Sequence, residues 1–259
     1  MAEPERRYWD GYWADSSPTL RAATMTQILD RIKLDYLQPL LPTAGRTLEV
    51  GAGSGRLSCW LAASGYRTIC LDHSLGALAA ARANYAAAQV GGGFVAGDGF
   101  RLPFRDGAYN VVLSTGLLEH FEDPTPIVGE MTRVLRAGGV FYSDIVPKKF
   151  SLFRSLDWLG RTKRRLLGSG ESHGGFYERS FTSAEILAMM ARCGLADTHV
   201  FPAGVVPPYL PLVYRSARLR KLQVALVGRT QALWRRLDGT WFAERLGFYY
   251  FAYGRKPGG

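Results

Sequence analysis

The residues best suited to chemistry in this sequence surround a glycine-rich turn, LEVGAGSGR, at residues 48–56. An apolar strand runs into three glycines and then into a helix. The backbone N–H groups at such a junction form a seat for an anion or a nucleotide, and the glycines let a ligand approach closely. A carboxylate precedes the glycines, so that the pattern is E-x-G-x-G-x-G, made of Glu49, Gly51, Gly53 and Gly55.

Three kinds of ligand compete for this turn. A phosphate loop requires a lysine after its last glycine, whereas Arg56 follows Gly55 here. A dinucleotide turn requires G-x-G-x-x-G, and Arg56 occupies the place of the third glycine. Glu49 would repel a pyrophosphate, but it would suit a ligand that carries an ammonium group. The residues therefore favour a cationic ligand, with a nicotinamide dinucleotide oxidoreductase as the rival.

The elements that must position this turn alternate between strand and helix. Hydrophobic period and turn signals predict a helix within 21–40 and a capping box at Thr182 and Glu185 that opens a helix ending at Arg192. Helices are also predicted over 54–64, 75–89 and 124–137. Predicted strands cover 46–51, 66–72, 94–97, 108–115, 140–146, 195–202 and 248–254. This alternation indicates right-handed βαβ units and a parallel sheet.

Five segments in this order resemble motifs of the class I S-adenosylmethionine (SAM)-dependent methyltransferases, in particular their UbiE-like, small-molecule branch. They cover about residues 46–147 and read LEVGAGSGR, ICLDHS, VAGDGFRLPF, YNVVLSTGLLEHFEDP and EMTRVLRAGGVFYSDIVP. The resemblance implies an α/β fold with a Rossmann-like seven-stranded sheet, strand 7 antiparallel, helices on both faces and a helical cap from insertions. It also implies SAM as cofactor and S-adenosylhomocysteine as product.

The resemblance divides the chain into four parts. We expect an N-terminal helical lid over 1–45 and a SAM-binding core over 46–147. A basic cap insertion over 148–180 would follow. The C-terminal part of the fold, 181–259, would contain a second basic, helical insertion over 203–245.

The cofactor-binding residues are also implied by the resemblance. Asp72, 21 residues after Gly51, would end the second strand, where a carboxylate can accept both ribose hydroxyls. Asp98, with the backbone of Gly99 and Phe100, would contact the exocyclic amine of adenine. The full expected set is Glu49, Gly51, Ala52, Gly53, Gly55, Asp72, His73, Asp98, Gly99, Phe100, Ser114 and Thr115.

The candidate general base is His120, which follows the fourth predicted strand in LLEHFED. A base is needed only if the acceptor must lose a proton, and packing or capping of the next helix is the alternative role for His120. His173 and Tyr177 are second candidates in the acceptor pocket. The N-terminal segment commonly folds over SAM in relatives, so we expect it to supply four aromatic acceptor contacts: Tyr8, Trp9, Tyr12 and Trp13.

The net charge of +10 is concentrated in two segments outside the predicted core. Residues 148–180 carry eight Lys and Arg against three acids, and residues 205–245 carry eight against two. In the second segment, leucines recur every three or four positions with arginines between them, as in an amphipathic basic helix. Such a helix can cap the pocket with its apolar face packed inward, contact an anionic membrane, or bind an acidic acceptor. The leucines are Leu219, Leu222, Leu226, Leu233 and Leu237.

Length and composition bound the function. With 259 residues, 47% of them hydrophobic, the chain suits one domain with insertions. Three scattered cysteines without a CxxC pair argue against a disulfide framework and a zinc site, so no metal is expected. The N-terminal residues lack the apolar stretch of a secretory signal. These features indicate a cytoplasmic protein, with peripheral membrane contact as the other reading.

The expected function is transfer of a methyl group from SAM to a small-molecule or lipid-like acceptor, at oxygen or nitrogen. The alternatives are a catalytically inactive SAM- or lipid-binding module and a methyltransferase acting on an acidic or nucleic-acid substrate. Nucleic acid is the weaker partner, because the sequence contains no known RNA-binding module. The sequence does not indicate an oligomeric state.

Overall fold

The computed structural model describes residues 3–14, 25–147, 151–152, 155, 179–207 and 216–258. A seven-stranded sheet lies at its centre, in the order β3-β2-β1-β4-β5-β7-β6. The strands are β1 Arg46–Val50, β2 Arg67–Asp72, β3 Gly93–Ala96, β4 Tyr109–Thr115, β5 Leu135–Ile145, β6 Ala196–Ala203 and β7 Tyr249–Arg255.

Strands β1 to β5 are parallel, and β7 runs antiparallel between β5 and β6. The chain moves from β1 outward to β2 and β3, then returns to place β4 on the other side of β1. The carboxyl ends of β1 and β4 therefore flank the point where the strand order reverses, which is where open α/β sheets bind ligands. The predicted fold class, including the antiparallel seventh strand, is confirmed.

Helices cover both faces of the sheet, because alternate strand residues point to opposite sides. Val112 belongs to the core beneath Ile127 and Ile186, whereas its neighbour Leu113 belongs to the core beneath Ile32 and Leu61. The helices are α1 Glu3–Ala14, α2 Met25–Leu37, α3 Arg56–Ala63, α4 Leu75–Ala88, α5 Thr125–Val134, α6 Ser183–Arg192, α7 Ala217–Trp234 and α8 Trp241–Leu246.

Local signals explain several helix boundaries. The Ser74 side chain accepts a hydrogen bond from the backbone N–H of Ala77 and caps α4. At α6, Thr182 and Glu185 form the complete capping box that the sequence predicts.

The predicted boundary between α5 and β5 is wrong. The sequence predicts a helix to residue 137 with a strand from 140, but α5 ends at Val134 and β5 begins at Leu135. Leu135 pairs with Tyr109, and the register shifts before Val111 pairs with Val140. Gly138, at φ +68°, lies within this irregular strand segment and does not end a helix.

The orientation of α7 corrects one reading of the second basic segment. A cap packed through its leucines would bury them, yet Leu219, Leu222, Leu226 and Leu233 are exposed. Val227 is the α7 residue in the core, next to the residues of α2. Because Val224 and Val227 pack on the domain, the leucines on the other side of α7 face solvent.

Residues 1–2 and 15–24 of the predicted lid lie outside the described residues, and so do parts of the two predicted insertions. Those parts are most of the basic cap insertion 148–180, together with His173 and Tyr177 in it, and the stretch 208–215 of the second insertion. Among the described residues, no helix is both long and apolar enough to cross a bilayer.

Candidate functional site

The glycine turn joins β1 to α3 in left-handed backbone conformation. Gly51, Gly53 and Gly55 have φ values of +65°, +52° and +61°, a region that favours glycine. A Cβ on Gly53 would lie 2.6 Å from a ring carbon of Trp13, so glycine at this position also leaves room for Trp13 to pack. The N–H of Gly55 donates to the carbonyl of Ala52 at 2.8 Å and closes the turn.

Glu49, the penultimate residue of β1, is a buried carboxyl beneath this turn. Its Oε2 accepts from the Ser58 N–H at 3.1 Å, and its Oε1 accepts from the Thr115 hydroxyl at 3.2 Å. Burial raises the pKa of Glu49 to about 7, against the opposing effects of the Ser58 hydrogen bonds and the charge of Lys33. At neutral pH, Glu49 is therefore near the midpoint of its titration, and a bound cation would favour its charged form.

Asp72 connects the end of β2 to the glycine turn. Its Oδ2 accepts from the Gly53 N–H at 2.8 Å, and its Oδ1 accepts from the Ser74 N–H at 2.9 Å. The imidazole Nδ1 of His73 lies 3.4 Å from the same Oδ1. Burial raises the Asp72 pKa, while the two backbone hydrogen bonds oppose the rise. The Asp72 carboxylate thus links the segments that follow β1 and β2 at the ligand-binding edge.

A cavity of about 160 Å³ opens at this edge. Its walls bring together most of the residues predicted from the glycine, second-strand and fourth-strand motifs, including Glu49, Asp72, His73, Thr115 and His120. A smaller cavity beside it is lined by Asp98, Gly99 and Phe100 and shares Gly51, Asp72 and His73 with the first. Most of the predicted cofactor residues therefore surround two adjoining spaces.

Four predicted site residues that the structure describes do not line these cavities. Gly55 packs closely behind the turn, where a Cβ would lie 3.0 Å from Ala81 and from Cys70. Ser114 is fully buried, and its hydroxyl lies 3.0 Å from that of Ser143. It precedes Thr115 on β4, so its side chain points to the opposite face of the sheet. Tyr8 and Tyr12 are also absent from the walls of the two cavities, and Tyr12 is half exposed.

Helix α1 covers part of the main cavity with its two tryptophans. Trp9 and Trp13 both line it, and the Trp9 ring meets the His120 ring edge-on at 5.1 Å. Asp10 attaches α1 to the start of α4: its Oδ1 accepts from the Ser74 hydroxyl at 2.5 Å and from the Gly76 N–H at 3.2 Å. Helix α1 thus lies over the site, with two of the four aromatic residues named from the sequence on the cavity wall.

His120 lies in a 3₁₀ turn, Leu118–His120, directly after β4. The preceding residue, Glu119, is buried, and its Oε1 accepts from the Val146 N–H at 3.0 Å beyond the end of β5. Its backbone carbonyl accepts from the Arg179 N–H at 2.7 Å. Burial raises the pKa of Glu119 to about 8. Glu119 therefore attaches the turn that contains His120 to the end of β5.

Sequence reasoning missed three charged residues in the cavity wall, Asp30, Lys33 and Arg56. The Lys33 Nζ lies 2.8 Å from Asp144 Oδ1, and Arg56 Nε lies 2.7 Å from Asp30 Oδ2. Burial works to lower the pKa of Lys33, but the combined effects of Asp144, Tyr249 and Asp30 outweigh it and keep the pKa raised. A signal existed, because two charged residues three positions apart interrupt the apolar face of α2.

Residues 48–143 match a sequence family described as "Methyltransferase domain". An uncharacterized methyltransferase of Mycobacterium sp. (strain JLS) is 38% identical over 97 residues, 37% of each chain. A demethylmenaquinone methyltransferase of Parafrankia sp. (strain EAN1pec) is 38% identical over 111 residues, 37% of this chain and 44% of that protein. The chain thus spans less than half the length of these two curated relatives.

Similarity to solved structures extends over most of the chain. Phosphoethanolamine N-methyltransferase 2 of Haemonchus contortus, solved with phosphomonomethylethanolamine and S-adenosylhomocysteine, superposes with a TM-score of 0.56 at 18% identity. The match covers 88% of this chain and 52% of that one. Residues 48–143 therefore match a methyltransferase domain in sequence, and the chain shares its fold with a solved methyltransferase.

Proposed function

We propose that this protein transfers a methyl group from SAM to the oxygen or nitrogen of a small, lipid-like acceptor. The observation that carries the proposal is the pair of buried carboxylates, Glu49 and Asp72, on either side of a left-handed glycine turn that opens into a cavity. Glu49 would repel a pyrophosphate and attract a cation, whereas Asp72 suits the ribose of either ligand. Glu49 is therefore the group that supports a sulfonium ligand over a dinucleotide.

The nucleoside part of SAM fits the acidic groups at the β2 and β3 ends. Asp72 keeps acceptor capacity beyond its two backbone hydrogen bonds, because an ionised carboxylate has about four lone-pair sites. It would bind the ribose hydroxyls. Asp98, Gly99 and Phe100 line the smaller cavity next to Asp72, and that cavity would hold adenine.

The amino-acid part of SAM fits the charged end of the main cavity. Its ammonium group would meet Glu49, and its carboxylate would meet the cations Lys33 and Arg56. Both cations keep acidic partners of their own, Asp144 and Asp30, so that the protein alone presents a balanced set of charges. A zwitterionic ligand suits such a set better than a ligand of single sign.

When bound, SAM would supply an activated methyl group with a neutral thioether as leaving group. The protein's part is then to align the acceptor and exclude water. Trp9 and Trp13 cover the cavity, and they would keep water from the acceptor. His120, on the cavity wall and against Trp9, would take the proton that an O–H or N–H acceptor loses.

The acceptor is proposed to be small and lipid-like because apolar and aromatic side chains form the side of the cavity nearest His120. They include Trp9, Leu117 and Phe121. One relative is named demethylmenaquinone methyltransferase, so its name points to a quinone acceptor for that protein. An acceptor of this kind also fits a protein that meets an anionic membrane peripherally.

Methyl-radiolabelled SAM tests this proposal with lipid-like phenols, quinols and amines as acceptors. The native protein should label at least one class, and His120→Ala should lower its turnover about 100-fold with unchanged affinity for SAM. His199→Ala, an exposed histidine on β6, serves as the matched control. Native turnover in His120→Ala would retire the base. Cofactor binding without labelling of any acceptor would favour the inactive binding module.

A further inference from the structure

Helix α7 presents a stripe of leucines to solvent. Leu219, Leu222, Leu226 and Leu233 are 51%, 65%, 61% and 60% exposed. Their spacing of three, four and seven residues places them along one face of the helix. A contiguous apolar face on a protein surface marks an interaction site, whereas scattered apolar residues do not.

The outward orientation of this stripe is fixed by contacts on the other side of α7. Val227 is buried in the core formed with α2, and Val224 packs against the same core. At the end of α7, Arg235 Nη1 donates to Asp35 Oδ2 at 2.7 Å, and the Tyr36 hydroxyl donates to Asp238 Oδ2 at 2.7 Å. The helix is therefore anchored with its leucines held away from the domain.

Cations accompany the leucines along the whole segment. Residues 216–237 contain six Lys and Arg and no Asp or Glu. Of these cations, Arg218, Lys221, Arg229 and Arg236 are exposed. Long cationic side chains next to an apolar stripe can reach lipid phosphates while the stripe enters the acyl boundary.

We propose that α7 is a membrane-contact surface that lies flat on an anionic bilayer. The leucine stripe enters the interface, and the exposed cations bind the phosphates of acidic lipid headgroups. This inference goes beyond the proposed methyl transfer and does not depend on it. Methyl transfer and lipid contact meet in one respect: α2, on which α7 packs, also carries Asp30 and Lys33 of the cavity wall.

A bilayer fits this surface better than other partners. Nucleic acid would use the cations, but it offers little to four exposed leucines. A second copy docked through the same face would bring two sets of cations together without an acid in the segment to balance them. An anionic lipid surface complements both the charge and the apolar stripe.

Flotation with vesicles tests the surface on the full chain. The native protein should bind vesicles of phosphatidylcholine and phosphatidylglycerol at about 7:3, bind pure phosphatidylcholine at least about tenfold more weakly, and be released by salt. Leu222→Ser with Leu226→Ser should weaken binding to the anionic vesicles by at least about tenfold. Ala225→Ser with Ala232→Ser places the same residue type at exposed positions of the same helix, and should bind as the native protein does.

A second pair of variants separates local charge from net charge. Lys221→Glu with Arg229→Glu should abolish binding at moderate salt. Arg105→Glu with Arg136→Glu changes the net charge equally at exposed positions outside α7 and should leave most of the binding. Circular dichroism and S-adenosylhomocysteine affinity identify any variant that fails to fold.

Each remaining outcome is decisive. The proposal is wrong if the native protein stays unbound at low salt, or if both α7 pairs bind as the native protein does. It is also wrong if the leucine pair only converts an oligomer to a monomer, because a second copy then covers the stripe. Vesicle binding without any S-adenosylhomocysteine binding would leave this surface standing and remove the proposed function.

Discussion

At the scale of single residues, the site depends on carboxyl groups whose surroundings give them different tasks. All three carboxyls are buried with raised pKa values, but Asp72 accepts two backbone N–H groups from different elements, whereas Glu49 and Glu119 each accept one. The difference follows from hydrogen bonds and desolvation, and not from residue type. Each group therefore makes a separate prediction.

Replacing Asp72 with Ala should weaken SAM binding by about 1–3 kcal/mol, because the ribose hydroxyls and two backbone N–H groups lose their acceptor. Isothermal titration measures the change. Asp106→Ala removes an exposed carboxylate outside the cavity walls and should leave the affinity unchanged. An unaltered dissociation constant in Asp72→Ala would contradict the ribose role.

The affinity for SAM should depend on pH through Glu49. The pKa of about 7 in the cofactor-free protein means that Glu49 gains a proton as the pH falls below 7. The protonated group cannot pair with an ammonium, so affinity should fall by up to about tenfold per pH unit below 7. Titrations from pH 5 to about pH 8 test this. Glu49→Gln should bind more weakly with a flatter profile, and a native profile in that variant would refute the assignment.

Stability should depend on pH through Glu119. Its pKa rises from 4.5 to about 8 on folding, so the folded state holds a proton that the unfolded state releases. Stability from this group is therefore present at low pH and lost as the pH rises toward 8. The free energy of unfolding of Glu119→Gln, relative to native, should increase by at least about 1 kcal/mol from pH 5 to pH 8. Urea titrations at both pH values check it, with exposed Glu122→Gln as a flat control.

At the scale of elements, α1 is attached to α4 by a carboxylate at a helix N-terminus. Asp10 accepts from the Ser74 hydroxyl and the Gly76 N–H, which places its charge at the positive end of α4. The attachment holds Trp9 and Trp13 over the cavity. Loosening it should therefore release a bound ligand sooner.

Asp10→Ala should speed the dissociation of S-adenosylhomocysteine about 3- to 10-fold. The residues proposed to act on the acceptor are unchanged in this variant. Surface plasmon resonance measures the rate, with Asp106→Ala again as the control. A dissociation rate equal to that of the native protein would mean that α1 does not retain the ligand.

Elements were predictable where their signals were local. The capping box at Thr182 and Glu185 depends on residues three positions apart, and it forms. The direction of the α7 leucines depends on α2, which lies about 190 residues away in the chain. The periodicity of the α7 sequence does not show whether its leucine face or its valine face will pack against the distant helix α2.

At the scale of the whole molecule, the order of the motifs was enough to predict the sheet and most of the cavity. Each parallel strand ends at one edge, so Glu49, Asp72 and Thr115 meet there whatever the loops do. Lys33 and Arg56 escaped prediction because they enter the cavity through ion pairs with Asp144 and Asp30, formed across elements. Ser114 was misplaced because a motif gives a position along a strand, but packing decides which face lines the site.

The central claim is that the carboxylate-flanked glycine turn binds SAM and its product. Calorimetric titration of the purified protein, freed of carried-over ligand, with S-adenosylhomocysteine tests it most directly, with NADH titrated in parallel. We predict saturable one-to-one binding of S-adenosylhomocysteine and none of NADH. Absence of binding at about 1 mM, a concentration well above the dissociation constant expected of a cofactor site, would contradict this assignment. Tighter binding of NADH would also contradict it.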